Sequence, residues 1–226
     1  MILSVHVPKA AGNSFRECLA ARFGERMMGD YGDWAGFDEP TANARRAERV
    51  AAMRARGPEL QEKYDIIHGH FVADKYEGLF PTAEYVAFFR DPYQQTLAHY
   101  YFLLRNPQRQ HPEETMFHEA KMTLHDYLEW DAFRNHQSQY LGKVALDDFT
   151  MVGLSAHFRQ SLSMFGAIFD CDLGEERFFN VNDERTGEYE ITLDVKRAIE
   201  KNRALDIELY RRAQEIFAKQ AARIAA

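Results

Sequence analysis

Three short stretches of the chain carry side chains able to do chemistry. The first, His6-Val7-Pro8-Lys9-Ala10-Ala11-Gly12-Asn13-Ser14-Phe15, follows an apolar run and opens a helical pattern. Small residues in such a turn let backbone N–H groups approach an anion. The helix N-terminus adds its positive dipole end, and Lys9 adds a full charge. Ser14 contributes a hydroxyl donor. The spacing is not GxxxxGK[ST], because Lys9 precedes the glycine. Taken alone, it fits an anion site and an ordinary strand–turn–helix with a surface lysine about equally well.

The second stretch, His68-Gly69-His70, sets two imidazoles on the same side of a strand. A base with a supporting residue, a pair of structural histidines and half of a metal site all fit it. No third ligand stands at a recognisable spacing, so no metal is expected. The third, Arg90-Asp91-Pro92, offers a guanidinium suited to a phosphate, with Asp91 placed to cap the next helix. Further on, Asn135 and His136 are polar groups for an acceptor site, although His136 also fits a structural role. Tyr100, Tyr101 and Phe102 read as core aromatics rather than a stacking platform, and His99, His111, His118, His125 and His157 as surface or core.

In an open α/β sheet ligands bind beyond the carboxyl ends of the strands. The stretches above act together only if they end strands. Five apolar runs qualify: Ile2–Val7, Tyr64–His68, Tyr85–Phe89, Phe149–Leu154 and Arg177–Val181. None alternates with period two, which predicts burial on both faces, as in a parallel sheet. Helical patterns lie between them, at Ser14–Phe23, Thr41–Arg56 (stopped by Gly57-Pro58), Pro92–Leu104, Thr123–Tyr140, Ser155–Phe169 with Ser155 as N-cap, and the tail Leu193–Ile224. Gly29–Pro40 and Asn106–Thr115 read as loops or inserts, and Arg45, Arg46, Arg49, Arg54 and Arg56 as a solvated helix face. The expected fold is α/β: a P-loop-like, doubly wound parallel sheet of about five strands flanked by helices. A long C-terminal helix ends one domain over residues 1–226.

Composition narrows the function classes. The chain has 226 residues, 46% hydrophobic and 28% charged, with a formal net charge of −7, which argues against a nucleic-acid surface. No run approaches the roughly 18 apolar residues of a membrane span, and no signal peptide is read at the N-terminus. Cys18 and Cys171 lie far apart without ligand spacing, as expected of reduced thiols in a cytoplasmic protein.

The order of these motifs resembles the sulfotransferases that use 3′-phosphoadenosine 5′-phosphosulfate (PAPS), in particular the carbohydrate branch with the heparan and chondroitin/dermatan 2-O-sulfotransferases and their bacterial relatives. HVPKAAGNSF is similar to that family's 5′-phosphosulfate loop, IIHGHF to its catalytic-histidine segment, and FFRDPYQQTLAHYYFLLR to its 3′-phosphate strand and helix. RNHQSQYL and MVGLSAHFRQSLSMF look like its downstream core, so the resemblance spans about residues 2–182. It implies that Lys9 meets the bridging and terminal oxygens of the phosphosulfate. Ala10, Ala11, Gly12, Asn13, Ser14 and Phe15 would form the 5′-phosphate cradle, and Arg90 would hold the 3′-phosphate. His70 would be the general base, with His68 orienting substrate or base. The family's arginine and serine on the helix after RDP are replaced here by Gln95 and Ala98.

The function so implied is sulfuryl transfer from PAPS to a hydroxyl of a sugar, a glycolipid or a small metabolite. Two alternatives stand beside it. One is a nucleotide-binding or regulatory module of the same fold with weak catalysis, motivated by Gln95 and Ala98. The other is a small-molecule kinase, disfavoured by the missing Walker A loop.

Overall fold

The computed structural model describes residues 1–33, 40–107, 111–174 and 187–225. At its centre is a five-stranded sheet formed by β1 (Ile2–Val5), β2 (Met27–Gly29), β3 (Ile66–Gly69), β4 (Glu84–Phe89) and β5 (Phe149–Leu154), in the order β2-β3-β1-β4-β5. Every pairing is parallel. β1 and β3 are buried along their whole length, as a sheet covered on both faces requires. Four of the five sequence-read strands are present, with ends shifted by up to two residues. The fifth, Arg177–Val181, lies outside the described residues. Its place in the count is taken by β2, a three-residue edge strand.

The chain leaves β1 for β2 on one side and reaches β4 on the other, so the topological switch falls between β1 and β4. Register fixes what gathers there. Val5 sits opposite both Gly69 and Ala87, so the residues after β1, β3 and β4 emerge together. The ladder runs one step further, with the His6 N–H donating to the Gly69 carbonyl at 2.8 Å. On the other side Gly29 pairs with His68 and the Asp30 N–H donates to the His68 carbonyl at 2.9 Å, which sets Tyr31 alongside the strand ends.

The helices are α1 (Gly12–Phe23), α2 (Pro40–Ala55), α3 (Gly57–Lys63), α4 (Pro92–Arg105), α5 (Pro112–Glu119), α6 (Leu124–Glu129), α7 (His136–Gln139), α8 (Phe158–Ile168), α9 (Leu193–Asn202) and α10 (Ala204–Ala225). Phe15 of α1 packs on Phe88 of β4 at 4.7 Å and on Phe165 of α8 at 5.3 Å, ring centre to ring centre, in the cluster that also buries Leu3, Ile67, Val86 and Met151 of the sheet. A second apolar cluster joins α4, α5, α6 and α9 through Leu103, Phe117, Tyr127, Leu128 and Ile199. It braces α4, the helix that follows β4. Among the described residues no helix is long and apolar enough to cross a membrane. Cys18 is buried, Cys171 is partly buried, and they form no disulfide.

Several local readings change. Gly57-Pro58 ends α2 but also begins α3, because Pro58 suits a first helical turn. Ser155 opens a short 3₁₀ turn, and α8 starts after His157 without a side-chain cap. The tail is two helices that meet at Arg203, and the second is long. Helix α5 begins inside the stretch read as a loop.

The arginine face of α2 is only partly solvated. Arg49 donates to Asp30 at 2.8 Å and to Asp33 at 2.6 Å, and Arg45 donates to the Gly32 carbonyl at 2.5 Å. Lys75, 3% exposed, meets the same two carboxylates at 2.5 and 2.8 Å, and the Tyr76 hydroxyl donates to Asp30 at 2.8 Å. Such a buried, satisfied cluster fixes geometry more than it adds net stability. Here it fixes the segment that carries Tyr31.

Candidate active site

The turn after β1 departs from ordinary backbone. Lys9 and Ala11 adopt left-handed conformations, with φ of 60° and 73°. Non-glycine residues pay about 1–3 kcal/mol for such conformations, which cluster at ligand sites. The first turn of α1 has no side-chain cap and no acidic residue, and its leading N–H groups have no intrahelical acceptor by construction. A left-handed turn leading into an uncapped helix N-terminus presents N–H donors of the kind that hold anions. It opens on a cavity of about 350 Å³ lined by Lys9, Ala11, Gly12, Asn13, Ser14 and His6 on one side. Arg90, Asp91, Gln94, Ser155, Phe158, Glu188 and Tyr210 close the other. Ala10 and Phe15 are buried in the core and contribute no side chain to it.

Gly12 is required by the ring behind it. A Cβ there would lie 1.8 Å from His6 Cδ2 and 2.1 Å from its Nε2. Gly12→Ala is expected to cost about 1–3 kcal/mol as an overpacked core does. A thermal melt several degrees lower, together with weaker anion binding, checks this.

Arg90 reaches the same turn from β4. Its guanidinium donates to the Lys9 carbonyl at 3.2 Å. Its backbone is clamped by Gln137, which accepts from the Arg90 N–H at 3.1 Å and donates to the Arg90 carbonyl at 2.9 Å. Gln137 is held in turn by Asp206 of α10, which accepts from the N–H groups of Gln137 and Ser138 at 3.0 and 2.7 Å. The Ser138 hydroxyl also donates to it, at 2.6 Å. Burial raises the Asp206 pKa against those three donors. Asp91 caps α4 as expected, accepting from the Gln94 N–H at 2.9 Å. The Gln94 amide bonds both backbone groups of Tyr189, at 3.0 and 2.7 Å, and so brings Glu188 to the cavity rim.

The histidines form a stack at the strand ends. His6 lies 4.1 Å from His70 and 5.1 Å from His68, ring centre to ring centre, and its Nδ1 is 3.2 Å from the Tyr31 hydroxyl. The His70 Nδ1–H donates to the His6 carbonyl at 2.6 Å. A carbonyl only accepts, so the neutral ring carries its lone pair on Nε2. Burial lowers the His70 pKa to about 4, although the His6 carbonyl and Glu113 oppose the shift. His70 is therefore neutral at pH 7. His68 is fully buried, 2.8 Å from the Ser4 hydroxyl, with a pKa lowered to about 3 by burial. It lies behind the cavity wall, stacked on His6. Among the described residues no group of His, Cys, Asp or Glu is arranged to hold a metal.

The remaining candidates are placed as follows. Lys9 Nζ lies 4.4 Å over the Phe102 ring. Tyr101 stacks on Tyr189 at 5.1 Å, and Tyr100 is buried in the second cluster. Asn135, left-handed at φ 52°, accepts from the Leu205 N–H at 2.9 Å, so its side chain anchors α10. His136 is 2% exposed and lies 4.9 Å from the His99 ring. Gln95 and Ala98 are buried and do not line the cavity. Sequence reasoning did not single out His6, Tyr31, Gln94, Gln137 or Asp206 as site residues. For His6 a signal existed, since it directly follows a strand beside His70.

No protein-family model matches the chain, and no curated protein is similar to it. Among solved structures, the crystal structure of a sulfotransferase from Alicyclobacillus acidocaldarius is similar to 96% of this chain and 95% of its own, at 14% identity and a TM-score of 0.50. What the two share is the α/β fold, a parallel sheet flanked by helices along nearly the whole of both chains.

Proposed function

We propose that the chain, acting as a single α/β unit, transfers the sulfuryl group of PAPS to a hydroxyl-bearing acceptor. The observation that carries this is the convergence of Lys9 and Arg90 on one cavity, with the neutral His70 ring stacked behind it on His6. Two cationic groups and a helix N-terminus suit a nucleotide with separated anionic groups. The turn would take the 5′-phosphosulfate and Arg90 the 3′-phosphate.

In the reaction the acceptor oxygen attacks sulfur while the S–O bond to the 5′-phosphate breaks. The bonding pair goes to the phosphate oxygen, where the Lys9 ammonium and the N–H groups of the turn meet the charge as it develops. The acceptor proton goes to His70 Nε2, and the products are a sulfate ester and 3′,5′-ADP. His68 and His6 hold His70 in place by packing rather than by proton transfer. A pKa near 4 makes His70 a weak base when the site is empty. The bound donor's negative charge would raise that pKa and bring it closer to its task.

The acceptor hydroxyl would approach His70 Nε2, and His136, 2% exposed and outside the cavity lining, would act behind that side rather than touch the acceptor. The net charge of −7 favours a sugar, glycolipid or small metabolite of low charge over a long polyanion. Gln95 and Ala98 are buried and do not line the cavity, so the 3′-phosphate would rest on Arg90 without the family's second arginine and serine. Incubation with PAPS and a panel of such hydroxyl compounds tests the function. Release of 3′,5′-ADP that depends on an acceptor supports it, whereas Mg²⁺-dependent turnover of ATP would replace it with a kinase.

A further inference from the structure

Gln95 is 1% exposed in the first turn of α4, and its side-chain nitrogen has two neighbours from distant parts of the chain. It lies 3.1 Å from the Pro8 carbonyl, inside the anion turn, and 3.5 Å from His136 Nδ1. The orientation of the amide is set by chemistry. Pro8 offers only an acceptor, so the NH₂ and not the oxygen must face it. The second hydrogen of that NH₂ is then directed to His136 Nδ1, which must be unprotonated to receive it. The neutral ring is thereby the Nε2–H tautomer. His136 Nε2 itself is buried and has no hydrogen-bond partner among the described residues. Burial also keeps the ring neutral at physiological pH. His136 leads on to the base, since Tyr140 lies 5.7 Å from its ring and 6.1 Å from that of His70.

We propose that Gln95 is a positioning residue that couples the anion turn to His136. One amide group restrains the Pro8 carbonyl and selects the His136 tautomer, so occupancy of the turn is felt at the His136 imidazole. The inference rests on the donor-site reading of the turn, and its test separates the two.

The test uses ¹⁵N-histidine-labelled protein, wild type and Gln95→Met, which keeps the length of the side chain but removes the donor. Two-bond ¹H–¹⁵N spectra, with His136 assigned by its loss in His136→Asn, report the tautomer. They are recorded before and after titration with 3′,5′-ADP and, separately, inorganic pyrophosphate. In ligand-free wild type, His136 is expected as Nε2–H, and Gln95→Met is expected to mix the tautomers. Either anion should shift the His136 signals in wild type and leave them nearly unmoved in Gln95→Met. Affinity for 3′,5′-ADP should fall about two- to tenfold, as loss of one neutral hydrogen bond does. The same tautomer in both proteins, or equal anion-induced shifts in both, overturns the proposal. If neither anion binds wild type, the donor reading fails by itself and the ligand-free tautomer comparison decides the role of Gln95. Should Gln95→Met not fold, Gln95→Ala carries the same readouts, because it too has no donor for Pro8.

Discussion

Turnover is expected to fall by about 10²- to 10⁴-fold when His70 is replaced by alanine, as for loss of a general base. Affinity for 3′,5′-ADP is expected to stay within a few fold of wild type. The separation follows from geometry: Lys9 and Arg90 line the cavity, while His70 stands behind it, stacked on His6. His70→Asn sharpens the result. Its side-chain NH₂ can still donate to the His6 carbonyl, yet it supplies no basic lone pair, so it should be about as slow as alanine while retaining the fold.

The pH profile carries the same assignment. With His70 held at a pKa of about 4, the free enzyme keeps its base deprotonated down to that pH, and kcat/KM falls only as pH drops through it. In kcat, where the donor is bound, the limb should lie higher, toward the ordinary histidine value of about 6.5; a limb near about 6.5 already in kcat/KM for PAPS would mean that another group is the base. Wild-type turnover in His70→Ala would remove His70 from the mechanism, and an unfolded variant would make the ring structural.

Lys9→Ala is the second large effect. Losing the cation that meets the leaving oxygen is expected to lower turnover by about 10²- to 10³-fold, in the range found for a lost transition-state donor. Binding of 3′,5′-ADP should weaken by about ten- to a hundredfold, the size of a charge-assisted hydrogen bond. Stability should barely change. Alanine keeps a Cβ at the left-handed φ of 60°, so backbone strain is the same, and the contact given up with Phe102 amounts to about 0.5–1 kcal/mol. Kinetics with a melting curve distinguish the loss of a functional charge from a folding defect. Unchanged kinetics would withdraw the turn from the donor site.

How much of this was legible in the sequence depends on the range of the interaction. β1, β3, β4 and β5 show as continuous apolar runs because both their faces are buried. β2 does not, because three residues at a sheet edge are placed by their pairing with β3 rather than by a pattern of their own. Lys9 and Arg90 were readable because Arg90 directly follows β4 and Lys9 stands in the turn after β1, and a parallel sheet brings such strand ends together.

The supporting residues were not readable. Gln137 clamps a backbone 47 positions away, Asp206 holds Gln137 from 69 positions away, and Gln95 spans 87 positions to Pro8. Nothing in local composition marks a glutamine for such a task. Asn135 shows the converse error. It looked like an acceptor ligand, yet its left-handed φ and its bond to Leu205 give it the work of starting α10. Arg49 of α2 likewise read as solvated because its partners Asp30 and Asp33 belong to a different segment.

In the proposed function the turn after β1 and Arg90 together form one site for a 3′-phosphorylated adenine nucleotide. A calorimetric titration with 3′,5′-ADP, run beside 5′-ADP with Mg²⁺, tests it most directly. Clear preference for 3′,5′-ADP, without need of Mg²⁺, is the predicted result. Binding of neither nucleotide, or of Mg²⁺-ADP alone, would contradict it and leave the chain with the fold but not the activity.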